Sequence, residues 1–391
     1  MEWLTHRFEL SRGTSAHNVR PMEGLRGFAV LLVFLVHYVT LAKPWFSGNS
    51  DLALFSNALH AIGSTGVDLF FVLSGYLIYG TLISRQQQFL HFMSRRVRRI
   101  YPAFFAVFAA YVALSFIFPA EKKIPAPVLD GIIYLIQNFF LLPGLFPIEP
   151  MITVAWSLSY EMLYYFAIPL VITLFRLRER SAIWRVLFFL TMASLFTIYC
   201  AEYGGHIRLV MFISGILLHE AIDNRHIPAP HSFFGLFALA LVVLGTLLPQ
   251  DGPRDLALKT SILFASFFLL CLVCFRDPSA WLPSIFSWTP LRWLGNMSYS
   301  YYLLHGLALK AGFFVLAITL PIANHGAFLF LALLLAMFGL TLIPTTILFL
   351  AVERPFSLVP HRAKNHAPEM GLSEGLHSAV ADSRPVTRRL P

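Results

Sequence analysis

The chain has 391 residues, of which 57% are hydrophobic and 13% are charged. Soluble domains usually carry about a quarter of their residues as charged side chains, so this composition excludes an ordinary soluble protein and indicates a membrane protein. The net charge of +9 does not indicate nucleic-acid binding, because the basic residues form short clusters between apolar runs, where they act as topology signals. The C-x-x-C pair Cys271 and Cys274 lies inside an apolar run, so we expect ordinary helix residues there and no metal site.

Ten apolar segments are predicted to span the membrane, since a crossing helix needs ~20 mostly apolar residues. They lie at residues 25–42, 66–84, 101–118, 156–175, 183–200, 206–222, 232–249, 257–275, 297–320 and 326–351. The expected fold class is therefore all-α, a polytopic transmembrane bundle of about ten spanning helices. An eleventh apolar segment, 131–146, is short and contains polar residues, a proline and a glycine.

Arginine clusters decide whether the segment 131–146 crosses. If the N-terminus is inside and this segment does not cross, the arginine-rich run 95–99 faces the cytoplasm, as the positive-inside rule favours. The other arginines placed there are Arg85, Arg176, Arg178, Arg180, Arg185, Arg225, Arg276, Arg292 and those of the tail from Arg354 onward. If it crossed, every later cluster would lie outside. We therefore expect 131–146 to be re-entrant or extracytoplasmic, and both termini to be cytoplasmic.

The predicted organisation has three parts. Residues 1–19 form a cytoplasmic N-terminal segment, residues 20–356 form the transmembrane domain, and residues 357–391 form a cytoplasmic tail. The tail is polar and lacks periodicity, which predicts disorder. The chain shows no internal repeat of the inverted kind found in many transporters.

Arg26 and His37 are the first candidate site residues. They are 11 positions apart, and at about 100° per residue they share one helix face, separated by roughly 16 Å along the axis. Arg26 lies at the cytoplasmic edge, and His37 lies about halfway into a hydrocarbon core ~30 Å thick. A buried imidazole costs free energy unless it is partnered or hydrated, so His37 is either a functional base or a histidine hydrogen-bonded to a neighbouring helix for packing.

Four arginines, Arg95, Arg96, Arg98 and Arg99, directly precede the third predicted span. One interpretation is a stop signal that holds this loop inside the cell. The other is a site for a ligand with several phosphates, because guanidinium groups pair bidentately with phosphate oxygens. Coenzyme A, with a pyrophosphate and a 3′-phosphate, has the chemistry that such a site would bind. Charge alone leaves both interpretations open.

Two secondary candidates lie on the second predicted span. Asp68 is near its outer start, where it is either a functional carboxylate or a charge favoured by the helix dipole. Ser74 lies deeper beside Gly75, and this pair favours close helix packing.

Glu161 lies inside a later span, about 7 Å below the outer surface by helix geometry. A carboxylate at this depth would orient His37, bind an acceptor hydroxyl, or make an interhelical hydrogen bond. His305 lies in the middle of the ninth span and is a second candidate base. Glu353 is expected to be a topological anchor, followed by a helix-ending Pro355.

These segments, in this order, resemble the acyltransferase-3 family of membrane-bound acyltransferases. Each motif is weak alone, but the ordered set is specific and extends from residue 20 to 355. One departure is Glu23, where the family more often has Asp. The matching segments are Arg20 with the run 23–27 (EGLRG) and His37, then GVDLFFVLSGYLI at 66–78, RRVRR at 95–99, WSLSYEMLYY at 156–165, LGNMSYSYYLLH at 294–305, and ERP at 353–355.

The resemblance implies an enzyme with ten spanning helices that O-acetylates surface polysaccharides, lipopolysaccharide or related molecules. By position, the family implicates the pair Arg26 and His37, and the arginine motif at Arg95, Arg96 and Arg99. The chain is therefore expected to move an acyl group, acetyl on family grounds, from cytoplasmic acyl-CoA to a hydroxyl beyond the membrane. The expected location is the plasma membrane, that is, the bacterial inner membrane.

In the expected mechanism, the nucleotide of acyl-CoA binds the arginine motif and its pantetheine arm extends between helices towards His37. The acceptor enters from the outer side, near Glu161 and residues 131–155. His37 then acts either as a general base or as a nucleophile that carries the acyl group, and the sequence does not separate the two.

Two other functions remain open. A proton-coupled transporter or flippase would use His37, Asp68 and Glu161 as a proton relay. A non-catalytic membrane scaffold would leave the buried histidine and glutamate unexplained. The acceptor is equally open among lipopolysaccharide, exopolysaccharide, peptidoglycan, a glycolipid and a small metabolite, and no oligomeric state is predicted.

Overall fold

The computed structural model describes residues 5, 7–9, 19–46, 50–119, 122–323 and 325–358. These residues belong to one unit, whose boundary falls after residue 359, and they form helices without a β-strand. The helices are α1 (Val19–Phe46), α2 (Ser50–Ser64), α3 (Gly66–Ser84), α4 (Phe89–Ile117), α5 (Val128–Phe139), α6 (Trp156–Leu174), α7 (Ala182–Tyr203), α8 (Val210–Asp223), α9 (Ser232–Leu247), α10 (Pro253–Arg276), α11 (Trp281–Phe286), α12 (Thr289–Asn296), α13 (Ser298–Thr319) and α14 (Ala327–Leu348), followed by a π-helical segment, Phe349–Leu358.

The prediction of an all-α polytopic membrane bundle is confirmed. Eight helical segments of the described chain are long and apolar enough to cross a membrane. The other two predicted spans are the helices α8 and α9, which have only 14 and 16 residues. At 1.5 Å per residue they are about 21 and 24 Å long, which is shorter than a hydrocarbon core of ~30 Å.

The segment 131–146 forms the short helix α5 and an irregular loop. With 12 residues, α5 is about 18 Å long, too short for a crossing. After the helix, Leu141 and Gly144 adopt left-handed backbone angles, with φ of 54° and 95°. Asn138 closes this loop, because its Oδ1 accepts a hydrogen bond of 2.6 Å from the backbone N–H of Met151. The length of α5 thus agrees with the prediction that this segment does not span.

The structure adds three helices that were not predicted and extends another. Helix α2 lies between the first two predicted spans, and α11 and α12 lie between the eighth and the ninth. At the other end, the backbone remains helical through Pro355 to Leu358, so the expectation that Pro355 ends the helix is wrong. The predicted disordered tail at 357–391 lies outside the described residues from position 359 onward.

Helix α1 is held against α11 and α12 by glycines that bring the backbones into contact. A Cβ atom built on Gly24 would lie 1.5 Å from the carbonyl oxygen of Phe286, and one built on Gly295 would lie 1.7 Å from that of Glu23. Small residues permit this approach between membrane helices. The glycines of the run 23–27 therefore fix the depth and rotation of α1, and with them the positions of Arg26 and His37.

We expect Gly24→Ala to destabilise the protein by about 1–3 kcal/mol or more, because the added methyl group meets backbone rather than a movable side chain. The measurement is thermal unfolding of the detergent-solubilised protein. Gly339→Ala is the matched control, since its Cβ would have no neighbour within 4 Å. Equal melting temperatures for the two variants would contradict this packing argument.

Candidate active site

A cavity of about 130 Å³, which we call the arginine cavity, lies between α1, α3, α4, α6 and α13. Three arginines line it: Arg26 from α1, and Arg96 and Arg99 from α4. Residues three apart on a helix lie on one face, so Arg96 and Arg99 point the same way. The cavity thus joins two of the sequence motifs that lie far apart in the chain.

Arg95 lies outside the arginine cavity. Its side chain is exposed and donates a hydrogen bond to Oε1 of Gln87. Arg98 is exposed as well. The arginine cluster therefore has two faces, of which only the face with Arg96 and Arg99 lines the cavity.

Arg96 stacks on aromatic rings. Its guanidinium carbon lies 5.2 Å from the ring centroid of Phe92 and 5.4 Å from that of Tyr165, which are cation–π distances. Within the described residues, no salt bridge to Arg96 is present. The two aromatic rings therefore hold this guanidinium by its planar faces. The N–H groups at its edge are available to an anionic ligand.

Arg99 forms an ion pair with a fully buried carboxylate. Its Nη1 lies 2.8 Å from Oε1 of Glu353, which is 0% exposed. Oε2 of Glu353 accepts hydrogen bonds from the backbone N–H and the hydroxyl of Ser300, at 3.0 and 2.6 Å. Glu353 was expected to be a topological anchor, but the π-helical segment turns its side chain into the bundle, where it pairs with Arg99.

We expect Arg99→Ala to lower stability by about 3–5 kcal/mol, because it leaves the buried charge of Glu353 without its cation. The double variant Arg99→Ala with Glu353→Gln should recover most of this loss, since the amide is neutral. Thermal unfolding in detergent measures both, with Arg98→Ala as a control from the exposed face of α4. Failure of the second substitution to raise the melting temperature would contradict the ion-pair argument.

Arg26 and Glu161 complete the polar lining of the arginine cavity. Arg26 donates from Nε and Nη2 to Oγ of Ser298, at 3.2 and 2.9 Å. Glu161 accepts hydrogen bonds from the hydroxyls of Tyr165, at 2.6 Å, and Ser74, at 3.4 Å. Of the alternatives open for Glu161, the structure shows the interhelical hydrogen bond, from Ser74 of α3, and Glu161 lines the arginine cavity rather than the cavity of His37.

His37 lines a second cavity of about 480 Å³, which we call the histidine cavity. His60, His206 and Arg208 line the same cavity, together with the rings of Trp156 and Tyr160. The hydroxyl of Tyr160 and Nδ1 of His206 are hydrogen-bonded at 2.5 Å. In the described part of the chain, no three His, Cys, Asp or Glu side chains are arranged to hold a metal ion.

Arg208 connects this cavity to Asp68. Oδ2 of Asp68 lies 3.7 Å from Nη1 of Arg208, and Asp68 is 2% exposed. Arg208 also donates to the backbone carbonyl of Ser64 at 3.0 Å. Sequence reasoning missed Arg208, although a signal existed: on the predicted topology it is an arginine on the outer side, against the positive-inside bias.

His305 is adjacent to His37, with 5.0 Å between the ring centroids and an angle of 61° between the rings. The structure thus brings together the two histidines that the sequence offered as alternative bases. Glu23 lies in neither cavity lining. It is buried and its Oε2 lies 3.1 Å from Nε of Arg292, so it forms an ion pair between α1 and α12.

The two cavities share a wall made by Val67 and Tyr302, which line both. The hydroxyl of Tyr302 is held in place by a 2.6 Å hydrogen bond with Oγ of Ser157 and a 3.0 Å bond to the carbonyl of Val154. Arg26, Arg96 and Arg99 therefore lie in one cavity and His37 lies in the other, with Val67 and Tyr302 between the two.

A family model described as an acyltransferase domain matches residues 21–350 of the chain. The chain belongs to the acyltransferase-3 family. The resemblance of the ordered motifs is thereby confirmed, and with eight candidate spans and bacterial relatives this acyltransferase-3 protein is a multi-pass bacterial membrane protein.

Two relatives illustrate the similarity. The peptidoglycan O-acetyltransferase OatA of Listeria monocytogenes is 25% identical over 338 residues, which cover 78% of this chain and 51% of that protein. The O-acetyltransferase OatA of Staphylococcus aureus is 29% identical over 320 residues, which cover 73% of this chain and 49% of that protein. The chain spans about half the length of the curated relatives it matches. No solved structure matches it.

Proposed function

We propose that this protein is an O-acetyltransferase that moves an acetyl group from cytoplasmic acetyl-CoA to a hydroxyl of a glycan on the other side of the membrane. The observation that carries the proposal is the pair of adjacent cavities, one lined by Arg26, Arg96 and Arg99 and the other by three histidines with Arg208. A donor and an acceptor can each enter one cavity and react at the shared wall. The names of the relatives, O-acetyltransferase and peptidoglycan O-acetyltransferase, are the reason for choosing acetyl as the acyl group and a glycan as the acceptor.

The arginine cavity suits the donor. Planar guanidinium groups bind phosphate oxygens bidentately, and Arg96 has its N–H edge available for them. The positive-inside bias puts this side of the bundle in the cytoplasm, where acyl-CoA is made. The pantetheine arm then extends past Arg26 and Glu161 to the wall formed by Val67 and Tyr302.

The histidine cavity suits the acceptor. It is the larger of the two, and it combines the aromatic rings of Trp156 and Tyr160 with the polar groups of His206 and Arg208. Aromatic rings with a polar edge contact the apolar faces of sugars while their neighbours hydrogen-bond the hydroxyls. A glycan hydroxyl in this cavity would lie beside the ring of His37.

In the proposed reaction, a lone pair of His37 removes the proton of the acceptor hydroxyl as its oxygen attacks the thioester carbon. The C–O bond forms, the C–S bond breaks, and the leaving thiolate of CoA takes up the proton from the imidazolium. In the alternative order, His37 attacks the thioester first and passes the acetyl group to the hydroxyl in a second step. Both orders yield one acetyl ester and one CoA thiol.

The test uses the protein reconstituted in vesicles, with the acetyl group of acetyl-CoA labelled. Acetyl-CoA is supplied on one side and soluble peptidoglycan fragments on the other. The expected result is label on the glycan when acetyl-CoA faces the arginine cavity, and no transfer when the two substrates are exchanged. Transfer in both orientations, or no transfer in either, would contradict the proposal.

The same vesicles test the rival function of a proton-coupled transporter or flippase. That function uses His37, Asp68 and Glu161 as one relay, whereas in the structure Glu161 lines the arginine cavity and His37 lines the histidine cavity. A transporter would move protons or glycan across the vesicle membrane without acetyl-CoA. An acetyltransferase would show no such flux.

The acceptor is identified in cells. Deleting the gene and comparing surface glycans by mass spectrometry should reveal a single species that loses its acetyl increment. Restoring the wild-type gene should return the increment, and a His37→Ala gene should not. An unchanged acetylation pattern on every surface glycan would contradict a glycan acceptor.

A further inference from the structure

His305 is a fully buried histidine whose two ring nitrogens have different surroundings. It lies on α13, and its side chain is 0% exposed. Nδ1 lies 2.9 Å from the backbone carbonyl oxygen of Tyr301, one helical turn earlier. Within the described residues, Nε2 has no hydrogen-bond partner.

The carbonyl of Tyr301 determines the tautomer of His305. A carbonyl oxygen only accepts hydrogen bonds, so Nδ1 of His305 must carry the proton. In a neutral imidazole the other nitrogen then holds a lone pair and is an acceptor. His305 thus presents a buried, unpaired acceptor at Nε2. Leaving such a group unpaired costs about 1–3 kcal/mol.

The ring of His37 is in contact with the ring of His305. The two rings meet edge to face at a centroid separation of 5.0 Å, so rotation of the His37 side chain can bring one of its N–H groups to Nε2. The hydroxyls of the other two rings against His305 are already bonded, Tyr302 to Ser157 and a backbone carbonyl and Tyr301 to Thr341. Among the rings of the described residues that contact His305, His37 is therefore the one with a donor to offer.

The ring of His305 is also held in place. Tyr301 stacks on it at 5.3 Å with an angle of 8° between the rings, and Tyr302 lies 6.1 Å away. The backbone bond of Nδ1 fixes the ring rotation. A side chain that orients a catalytic base must itself be held in place, and catalytic bases are usually oriented by such a partner. His305 meets this requirement because its ring is fixed on a helix.

We propose that His305 is the positioning residue of His37, accepting one ring N–H of His37 at Nε2 so that the other nitrogen of His37 presents its lone pair to the acceptor hydroxyl. This inference rests on the proposed acetyltransferase function. When His37 takes up the proton of the hydroxyl, both of its nitrogens become donors, and Nε2 of His305 continues to accept one of them. No proton is transferred to His305.

The competing interpretation is that His305 only fills space between α1 and α13. The two interpretations differ in what can replace the ring. If His305 only fills space, replacing it with leucine or phenylalanine should preserve kcat, since burying an apolar side chain costs less free energy than burying an unpaired polar one. If His305 positions His37, an acceptor must remain, and His305→Gln supplies an amide oxygen near the place of Nε2.

The experiment measures kcat and KM for acetyl-CoA in wild-type protein and in the variants His305→Leu, His305→Phe and His305→Gln. We expect the leucine and phenylalanine variants to lose about 10- to 100-fold in kcat, the effect of one hydrogen bond to a charged group. Their KM should change less than about twofold, and the glutamine variant should recover at least about tenfold in kcat over the apolar variants. Retained binding of acetyl-CoA shows that each variant is folded.

His219→Leu is the matched control. His219 is half-buried, and its ring is also flanked by two tyrosines, Tyr76 at 5.8 Å and Tyr79 at 5.6 Å, but it lines neither cavity. This variant should keep the wild-type kcat. A second control combines His305→Leu with His37→Ala, and it should be no slower than His37→Ala alone, because residues that act as a unit are not additive.

Two results would overturn the proposal: a wild-type kcat in His305→Leu or His305→Phe, or a folded His305→Gln as slow as the apolar variants. Failure of the proposed function has a different signature, since wild-type protein would then transfer no acetyl group, or His37→Ala would transfer it at the wild-type rate.

Discussion

Replacing His37 with alanine is expected to lower the kcat of acetyl transfer by about 10²- to 10⁴-fold, the usual contribution of a general base. The imidazole lies in the histidine cavity next to His305, on the opposite side of Val67 and Tyr302 from Arg96 and Arg99. Without it, no group in this position removes the proton of the acceptor hydroxyl. The measurement is label transferred from acetyl-CoA to glycan in reconstituted vesicles.

The control for this variant is His226→Ala, because His226 is exposed in the loop after α8. Binding of acetyl-CoA to His37→Ala should be unchanged, since the arginine cavity is intact. Undiminished transfer by this variant would refute both roles of His37, the base and the nucleophile. Acid quenching during turnover separates the two: labelled protein is expected only if His37 carries the acetyl group.

Replacing Arg96 with alanine is expected to raise the KM for acetyl-CoA by about 10- to 100-fold, because each hydrogen bond to a charged group contributes about 1.5–3 kcal/mol. Phe92 and Tyr165 hold the guanidinium, and no carboxylate pairs with it in the described chain. Arg96→Lys should recover only part of the affinity, since an ammonium group does not offer the planar, bidentate edge.

Arg98→Ala is the matched control for Arg96→Ala. It removes the same charge from the same helix, but from the exposed face. A general loss of positive charge near the membrane would affect both variants equally, whereas a phosphate site affects Arg96 alone. Equal KM values for acetyl-CoA in the two variants would refute a phosphate site at Arg96. Higher ionic strength should weaken donor binding in wild-type protein more than in Arg96→Ala.

Together these predictions assign the residues of the two cavities to different kinetic parameters. A residue that binds the donor equally in ground and transition states changes KM, and a residue that acts only on the reacting atoms changes kcat. Arg96 is expected to belong to the first class, and His37 and His305 to the second. A variant of Arg96 that lowered kcat with no change in KM would place this residue at the reaction rather than at the nucleotide.

Arg99 shows why the arginine motif cannot be interpreted from its charge alone. Its sequence position is equivalent to that of Arg96, one helical turn away. In the structure Arg99 is paired with the buried Glu353, which lies more than 250 positions later in the sequence. A variant of Arg99 therefore disturbs folding and donor binding together, and the compensated pair with Glu353→Gln is needed to separate them.

Composition and order along the chain determined the fold class and the family. Apolar runs partition into lipid wherever they occur, so helix positions follow from local sequence, and the arginines between the runs predict the topology. The spacing of Arg26 and His37 likewise placed both on one helix face, because a helix has a fixed rotation per residue. The sequence predicts α8 and α9 as spans, and in the structure they are the shortest helices of the predicted ten.

Only the tertiary structure decided which of these helices meet. The hydrogen bond of Arg26 to Ser298, the contact of His37 with His305 and the place of Glu161 among the arginines all join residues from distant parts of the chain. Such contacts depend on helix packing, which glycines such as Gly24 and Gly295 set by bringing backbones together. Local sequence carries each helix into the membrane, whereas the arginine cavity and the histidine cavity exist only once the helices have packed.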